Sequence, residues 1–131
     1  SKVLGPGNHG TTFGGNPLAM RAGVETLRIM VEDGLLDNAA RIGAQLRKAF
    51  DEQLGTLPGV KEIRGQGLML GIELDRPCGE ILGQACEAGL LLSVTADKVI
   101  RIVPPLILTE AEADEIVARL APLVREFLAA A

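Results

Sequence analysis

The chain has 131 residues, a net charge of -4 at neutral pH and 47% hydrophobic residues. This length suits one modest core, and the apolar content argues against an intrinsically disordered chain. Charges of both signs are interspersed, Trp and Tyr are absent and every apolar run is short. These features argue against a nucleic-acid surface, an aromatic stacking platform and a membrane-spanning segment.

The N-terminal part of the chain is predicted to be a loop followed by two helices. Residues 1–17 are rich in Gly, Pro, Asn and Thr. Asn16 followed by Pro17 is typical of a helix start, because Asn caps the helix and Pro suits its first position. Apolar residues then recur at helical spacing as far as Gly34. A second helix is predicted from Leu36, with Leu36 to Phe50 supplying one apolar face and with Gly55 and Pro58 ending the helix.

From residue 60 the spacing of apolar residues becomes two, which is typical of strands with one buried face. Residues 68–74 form the clearest such strand, and residues 60–64 form a shorter one before it. A short helix is predicted from Ile81 up to Gly89. The β-rich segments 90–94 and 99–103 then resemble the two arms of a hairpin.

The last helix begins with a capping box of Thr109 and Glu112, and Pro122 is predicted to kink it or loosen its last turns. The order of elements is two helices, two strands, a helix, two strands and a helix. This order predicts an α+β fold in which a small antiparallel or mixed sheet is covered by helices on one side.

The two cysteines, Cys78 and Cys86, could pair only if their backbones were close, and we test the case in which both lie on one helix. Their spacing there corresponds to a rise of roughly 12 Å, which is too far for a disulfide. We therefore predict buried free thiols and, with no secretory signal visible, a cytoplasmic protein. The chain begins at Ser1 without a methionine, so we expect a fragment.

Residues 5–10 (GPGNHG) match the pattern G-x-G-x-x-G of dinucleotide-binding folds. That pattern requires a preceding strand and a helix that starts within it. Here only four residues precede the pattern and the helix starts at Pro17. A dinucleotide site is therefore excluded.

Thr11 and Thr12 lie on a glycine-flanked loop just before a predicted helix. Hydroxyls, backbone N–H groups and the helix dipole can together hold an anion at such a place. On the residues alone, a phosphate site and an ordinary capped turn are equally good interpretations.

The segment 9–19 (HGTTFGGNPLA) resembles the corresponding loop of class III aminotransferases of fold type I, and its Thr-Thr-Phe form resembles the acetylornithine branch of that family. In this family the loop reaches into the active site of the neighbouring subunit of a homodimer. The resemblance implies that Thr12 binds the phosphate of pyridoxal 5'-phosphate and that Thr11 lies beside the bound amino-acid substrate. It makes His9 a mostly structural residue.

Two further segments carry the resemblance. Residues 63–74 (IRGQGLMLGIEL) are similar to the strand pair of the family's small domain, and residues 101–106 (RIVPPL) are similar to the segment that holds a substrate carboxylate. The resemblance thus implies that Arg101 binds substrate, a task that suits its planar, forked guanidinium. The alternative makes Arg101 an exposed strand residue, since Val99 and Val103 share its face.

One departure from the family concerns the lysine that forms a Schiff base with the cofactor. The lysines of this chain are Lys2, Lys48, Lys61 and Lys98, and none lies in the family's lysine motif, which belongs upstream of residue 9. We therefore predict no catalytic residue and no metal site in this chain. Residues 1–31 would end the large cofactor-binding domain as a loop and linking helix, and residues 32–131 would form the small C-terminal domain.

The resemblance implies that the whole enzyme transfers an amino group from N-acetylornithine to 2-oxoglutarate in arginine biosynthesis, and that this fragment alone is inactive. Succinylornithine, ornithine or 4-aminobutyrate could instead be the amino donor. A function of another class, a stand-alone α+β interaction module, also stays open. A longer native polypeptide that supplies the lysine would favour the enzyme.

Overall fold

The computed structural model describes residue 5 and residues 10–130, so Lys2 and His9 lie outside the described residues. The chain divides into two compact units, Ser1–Leu35 and Leu36–Ala131. This division falls close to the domain boundary predicted at residues 31 and 32. The assignment of the two units to a large and a small domain of a longer enzyme stays a prediction.

The first unit contains helix α1, Pro17–Glu32, which starts where the sequence predicted. The Asn16 side chain caps it by accepting a hydrogen bond from the Ala19 N–H at 3.0 Å. No residue of α1 is buried. Its exposed apolar side chains are Leu18, Met20, Val24, Leu27, Ile29 and Val31. Even so, no helix in the described part of the chain is long and apolar enough to cross a bilayer.

Helix α2, Leu35–Leu54, supplies all but its first residue to the second unit. Its buried residues recur about every fourth position, so one face of the helix enters the core. These residues are Ile42, Gly43, Leu46, Phe50 and Leu54. The prediction that Leu36 shares this buried face is wrong, because Leu36 is 59% exposed and the core begins a turn later, at Ala39.

The second unit is built on a four-stranded sheet. Its strands are β1 (Val60–Gln66), β2 (Met69–Leu74), β3 (Ser93–Thr95) and β4 (Val99–Ile102). The spatial order is β1-β2-β4-β3, and every neighbouring pair is antiparallel. The predicted hairpin is therefore confirmed as β3 and β4, although its first arm begins at Ser93 instead of residue 90. Strand β4 lies between β2 and the short edge strand β3.

One face of the sheet is apolar and buried, and the other carries charged side chains. The buried face contributes Ile63, Leu70, Ile72, Leu74, Ile100 and Ile102 to the core. These residues cluster with side chains of α2, of α3 (Ile81–Glu87) and of α4 (Glu110–Ala129). The predicted α+β fold is confirmed, and the charged face is left open.

Helix α4 begins with the predicted capping box. The Thr109 hydroxyl accepts a hydrogen bond from the Glu112 N–H, while the Glu112 carboxylate accepts one from the Thr109 N–H. The helix runs as one element through Pro122 to Ala129. Its core residues are Ala113, Val117, Leu120, Ala121 and Val124. Core packing on both sides of Pro122 thus holds the turns that follow it.

Both cysteines are free thiols, as predicted. Cys78 lies before α3 and is buried, whereas Cys86 lies on α3 and is exposed. The condition that both lie on one helix is therefore not met, and the prediction that both thiols are buried is wrong for Cys86. The Cys78 N–H donates to the carbonyl of Asp97 at 2.9 Å, which fixes Cys78 beside the β3–β4 turn. Burial raises the pKa of the Cys78 thiol.

Candidate functional site

Thr11 and Thr12 lie on the loop that precedes α1, and both side chains are exposed. Within the described residues neither hydroxyl forms a hydrogen bond. The turn after them is held by Asn16, whose amide donates to the Phe13 carbonyl while its oxygen caps α1. The loop, which Asn16 ties to α1, thus presents two hydroxyls that have no partner in the described part of the chain.

The start of α1 itself offers few donors to an anion. Pro17 has no N–H, the Ala19 N–H is taken by the Asn16 side chain, and the Met20 N–H donates to the Asn16 carbonyl at 3.0 Å. In the described part of the first turn, only Leu18 keeps an unpaired N–H. A phosphate at this loop would depend on the threonine hydroxyls more than on the helix end, contrary to the expectation that both contribute.

Gly14 shapes the threonine loop. A Cβ atom at Gly14 would overlap the methyl group of Thr11, so a larger residue here would displace that side chain. A glycine that clears space beside two unpartnered hydroxyls fits a loop that receives a ligand group such as phosphate. The residues present thus fit the part of a pyridoxal-phosphate site assigned to Thr11 and Thr12.

Arg101 lies on β4 and points to the open face of the sheet, where it is exposed. Gly71 of β2 is its partner on one side and Ser93 of β3 is its partner on the other. The Arg101 Nε donates to the Ser93 hydroxyl at 3.0 Å. Within the described residues its terminal nitrogens have no partner, so they are free to bind a carboxylate.

A shallow depression of about 520 Å³ lies on this face, with Arg64 and Arg101 at its sides and Gly71 between them. Gly71 leaves the middle of the depression open because it has no side chain. No lysine lines the depression among the described residues. It can receive an anionic group but holds no amine for covalent chemistry.

The two arginines at the depression differ in their partners. Arg64 forms ion pairs with Glu62 at 2.8 Å and with Glu73 at 2.5 Å. The pKa of Arg64 is raised, chiefly because the Glu73 carboxylate accepts its hydrogen bond. Arg101 has no ion pair in the described part of the chain. Arg101 is therefore the arginine with charge available for a ligand.

The predicted site residues lie in both units. Thr11 and Thr12 are neighbours in the first unit, and Arg101 belongs to the second. The structural role assigned to His9 concerns a residue outside the described part. The placement of Arg101 agrees with a substrate role and also with an exposed strand residue, since Val103, just after the end of β4, is likewise exposed. Its substrate role stays a prediction.

Ser93 was missed in the sequence. A hairpin centred on residues 96–98 pairs position 93 with position 101. A predicted register for this hairpin would therefore have placed the Ser93 side chain beside Arg101. The segment 90–94 was predicted only as a β-rich arm, without a register, and its hydroxyl was therefore not connected to Arg101.

The sequence matches the family model described as aminotransferase class-III over residues 1–124. It is 55% identical over 127 residues to acetylornithine aminotransferase 1 of Bordetella pertussis, covering 97% of this chain and 32% of that protein. It is 47% identical over 115 residues to acetylornithine aminotransferase of Bacillus subtilis, covering 88% of this chain and 30% of that protein.

Solved structures agree with the sequence matches. Ornithine delta-aminotransferase of Plasmodium falciparum matches with a TM-score of 0.85 and 35% identity, over 99% of this chain and 35% of that one. Acetylornithine aminotransferase of Elizabethkingia anophelis matches with a TM-score of 0.77 and 31% identity, over 95% of this chain and 34% of that one. The chain spans about a third of the length of the curated relatives it matches. The family match over residues 1–124 shows that the chain belongs to the class III aminotransferases.

Proposed function

We propose that this chain is the C-terminal portion of a pyridoxal-phosphate-dependent enzyme that transfers the amino group of N-acetylornithine to 2-oxoglutarate in arginine biosynthesis. The observation that carries this proposal is the pair of free hydroxyls of Thr11 and Thr12 on a loop that matches the family. The identity of 55% to an acetylornithine aminotransferase supports the choice of amino donor.

The threonine loop would serve the cofactor and the substrate. Bound pyridoxal phosphate would supply the electron-accepting ring that makes the bonds at the amino-bearing carbon of the substrate labile. Thr12 would donate its hydroxyl hydrogen to the phosphate, and Thr11 would lie beside the amino-acid substrate. In the proposed homodimer these residues act in the active site of the neighbouring subunit, which explains why an exposed loop carries unpartnered donors.

Arg101 would orient the substrate through its carboxylate. Its two free terminal nitrogens match the two oxygens of a carboxylate, and the pairing of Arg64 with two glutamates leaves Arg101 as the available charge. A substrate whose carboxylate is held by Arg101 would present the rest of its chain in a fixed position. The role of Arg101 is therefore binding and orientation, and proton transfer is left to a residue outside this chain.

The covalent step requires a lysine. Lys48, Lys61 and Lys98 are exposed, and Lys48 pairs with Glu52 at 3.8 Å. None of these three lines the depression beside Arg101. We therefore propose that the lysine belongs to a preceding part of a longer cytoplasmic protein and that this chain alone is inactive.

The amino donor could also be ornithine, succinylornithine or 4-aminobutyrate. The likeness to a solved ornithine delta-aminotransferase, with a TM-score of 0.85, favours ornithine among these. A non-catalytic interaction module is the candidate from another class, and it requires that this chain act without a longer polypeptide.

The test uses the full-length protein and the 131-residue chain side by side. We expect the full-length protein to have its highest kcat/KM with N-acetylornithine as donor and 2-oxoglutarate as acceptor. The chain alone, mixed with pyridoxal phosphate, should give no stoichiometric visible absorption band that amino substrates discharge. A higher kcat/KM with ornithine would overturn the proposed donor. Activity of the chain alone, or a native protein of only this length, would overturn the proposed role as part of an aminotransferase.

A further inference from the structure

We propose that Ser93 is a positioning residue for Arg101. Its hydroxyl would hold the guanidinium by Nε, so that the two terminal nitrogens are presented together to the substrate carboxylate. The inference rests on the proposed function, because it assumes that Arg101 binds a substrate carboxylate.

The first support is the register of the sheet. Ser93 of β3 is paired directly with Arg101 of β4. Paired residues in an antiparallel sheet point to the same face, so the two side chains leave the sheet together. The Nε to Oγ distance of 3.0 Å is that of a normal hydrogen bond. Ser93 thus reaches the guanidinium near its stem.

The second support is the shape of the guanidinium. It can bind a carboxylate with two parallel hydrogen bonds either at the edge containing Nε or at the end formed by the two terminal nitrogens. Because Ser93 occupies Nε, only the end remains available. The hydrogen bond therefore leaves only the geometry in which the two terminal nitrogens bind the carboxylate, and it orients that end of the side chain.

The third support is the chemistry of the other neighbours. Gly71, the partner of Arg101 on β2, has no side chain that could restrict the guanidinium. Glu62 and Glu73, on the same face, pair with Arg64. A serine hydroxyl fixes an arginine without neutralising it, whereas a carboxylate would compete with the substrate. Arg101 is thus held by one neutral group and keeps its charge for a ligand.

The experiment uses the full-length enzyme and four single variants: Ser93→Ala, Ser93→Thr, Arg101→Lys and Thr56→Val. Kinetics are measured separately for the amino donor and the 2-oxo acid. We expect Ser93→Ala to raise KM by roughly 3- to 10-fold, with kcat nearly unchanged, for the same substrate that Arg101→Lys impairs. Ser93→Thr keeps the hydroxyl, so the KM of this variant should stay within about twofold of the wild-type value.

Thr56→Val is the control, because it removes an exposed hydroxyl from the turn before β1, outside the lining of the depression that holds Arg101. It should leave KM unchanged. In the Arg101→Lys background, Ser93→Ala should cause no further loss, since Lys has no Nε–H for the hydroxyl to hold. Equal effects of Ser93→Ala and Thr56→Val, or additive losses in the double variant of Ser93→Ala and Arg101→Lys, would overturn the inference.

The outcomes separate this inference from the proposed function. If Arg101→Lys raises KM and Ser93→Ala behaves as wild type, the positioning role is wrong and the proposed function stands. If the full-length protein transfers no amino group to 2-oxoglutarate from any tested donor, the proposed function is wrong and the inference falls with it. If Ser93→Thr raises KM as much as Ser93→Ala while its thermal unfolding matches wild type, the hydroxyl does not position Arg101 and the inference is again overturned.

Discussion

Gly43 of α2 packs directly against the backbone of Gly67 in the β1–β2 turn. A Cβ atom at Gly43 would overlap the carbonyl carbon and oxygen of Gly67, which itself has a positive φ of 54°. The helix can approach the turn this closely only because position 43 has no side chain. The contact fixes α2 against the strand pair that places Gly71 beside Arg101.

Gly43→Ala should therefore destabilise the second unit. An alanine in a helix interior normally gains about 1 kcal/mol over glycine. Here the added methyl must push α2 away from the Gly67 backbone, and overpacking of this kind costs about 1–3 kcal/mol, so the expected net loss is up to about 2 kcal/mol. Urea unfolding of the chain, followed by far-ultraviolet circular dichroism, measures the change.

Gly83→Ala in α3 is the matched control. It also replaces a helical glycine, but nothing lies within 4 Å of the added Cβ atom. We expect the propensity gain alone, roughly 0.5–1 kcal/mol of added stability. If Gly43→Ala raises the unfolding midpoint as Gly83→Ala does, the packing of Gly43 against Gly67 does not exclude a side chain at position 43.

Much of this fold follows from local patterns that the sequence displays. Asn16 with Pro17 and Thr109 with Glu112 mark helix starts through hydrogen bonds to residues three positions away, so the prediction needs no knowledge of the rest of the chain. Period-two alternation likewise separates the buried face of β2 from its open face.

The remainder depends on contacts between residues that are distant in sequence. Nothing near Gly43 signals that a turn will pack against it, and nothing near Leu36 signals that the core begins a turn later. The hydrogen bond from the Cys78 N–H to the Asp97 carbonyl likewise joins segments that are distant in sequence, so no local pattern predicts it. The roles assigned to Thr11 and Thr12 came from family resemblance, since within the described residues their hydroxyls have no hydrogen-bond partner.

Asn38 joins α2 to the segment that follows Arg101. Its amide nitrogen donates to the carbonyls of Leu106 at 2.8 Å and Leu108 at 3.0 Å. Asn38→Ala should cost about 1–3 kcal/mol of stability, because both partly buried carbonyls lose their donor. Asn38→Asp keeps the shape but turns an acceptor toward the carbonyls, so its loss should be at least as large. Denaturant unfolding of both variants against wild type tests this, and unchanged midpoints would contradict it.

Acid should weaken the N-terminal cap of α4. The pKa of the Glu112 carboxyl is lowered because it accepts hydrogen bonds from the Thr109 N–H and hydroxyl. A pKa lower in the folded than in the unfolded chain gives stability that is present above the unfolded value and lost as pH falls through the folded one. With an unfolded value of about 4.3, the loss should begin near pH 5.

Glu112→Gln isolates this effect, since glutamine also completes a capping box but does not titrate. The free energy of unfolding of this variant should fall less steeply than that of wild type between about pH 5 and 3. Some slope should persist, because the pKa of Asp75 is also lowered, chiefly through its hydrogen bond with Arg76. Identical slopes for the two proteins would show that the cap does not contribute to acid sensitivity.

Arg101→Lys should impair substrate use by the full-length enzyme. Lysine keeps the charge but cannot present two parallel hydrogen bonds to a carboxylate. Since hydrogen bonds to charged groups are strong, kcat/KM should fall on the order of 10- to 100-fold. Steady-state kinetics with both substrates measures the change. Near-normal values would make Arg101 only an exposed strand residue.

Thr12→Val should weaken cofactor retention in the full-length enzyme, because valine keeps the shape of threonine but has no donor for the phosphate. Loss of one hydrogen bond to a charged group should raise the Kd for pyridoxal phosphate by roughly 10- to 100-fold. Thr12→Ser keeps the hydroxyl and should bind nearly as tightly as wild type. Arg101→Lys, a change on β4 in the second unit, should leave this Kd unchanged. Cofactor titration of apoenzyme, followed by visible absorbance, separates these cases. If Thr12→Val and wild type bind equally, the loop is an ordinary capped turn and the phosphate is held elsewhere.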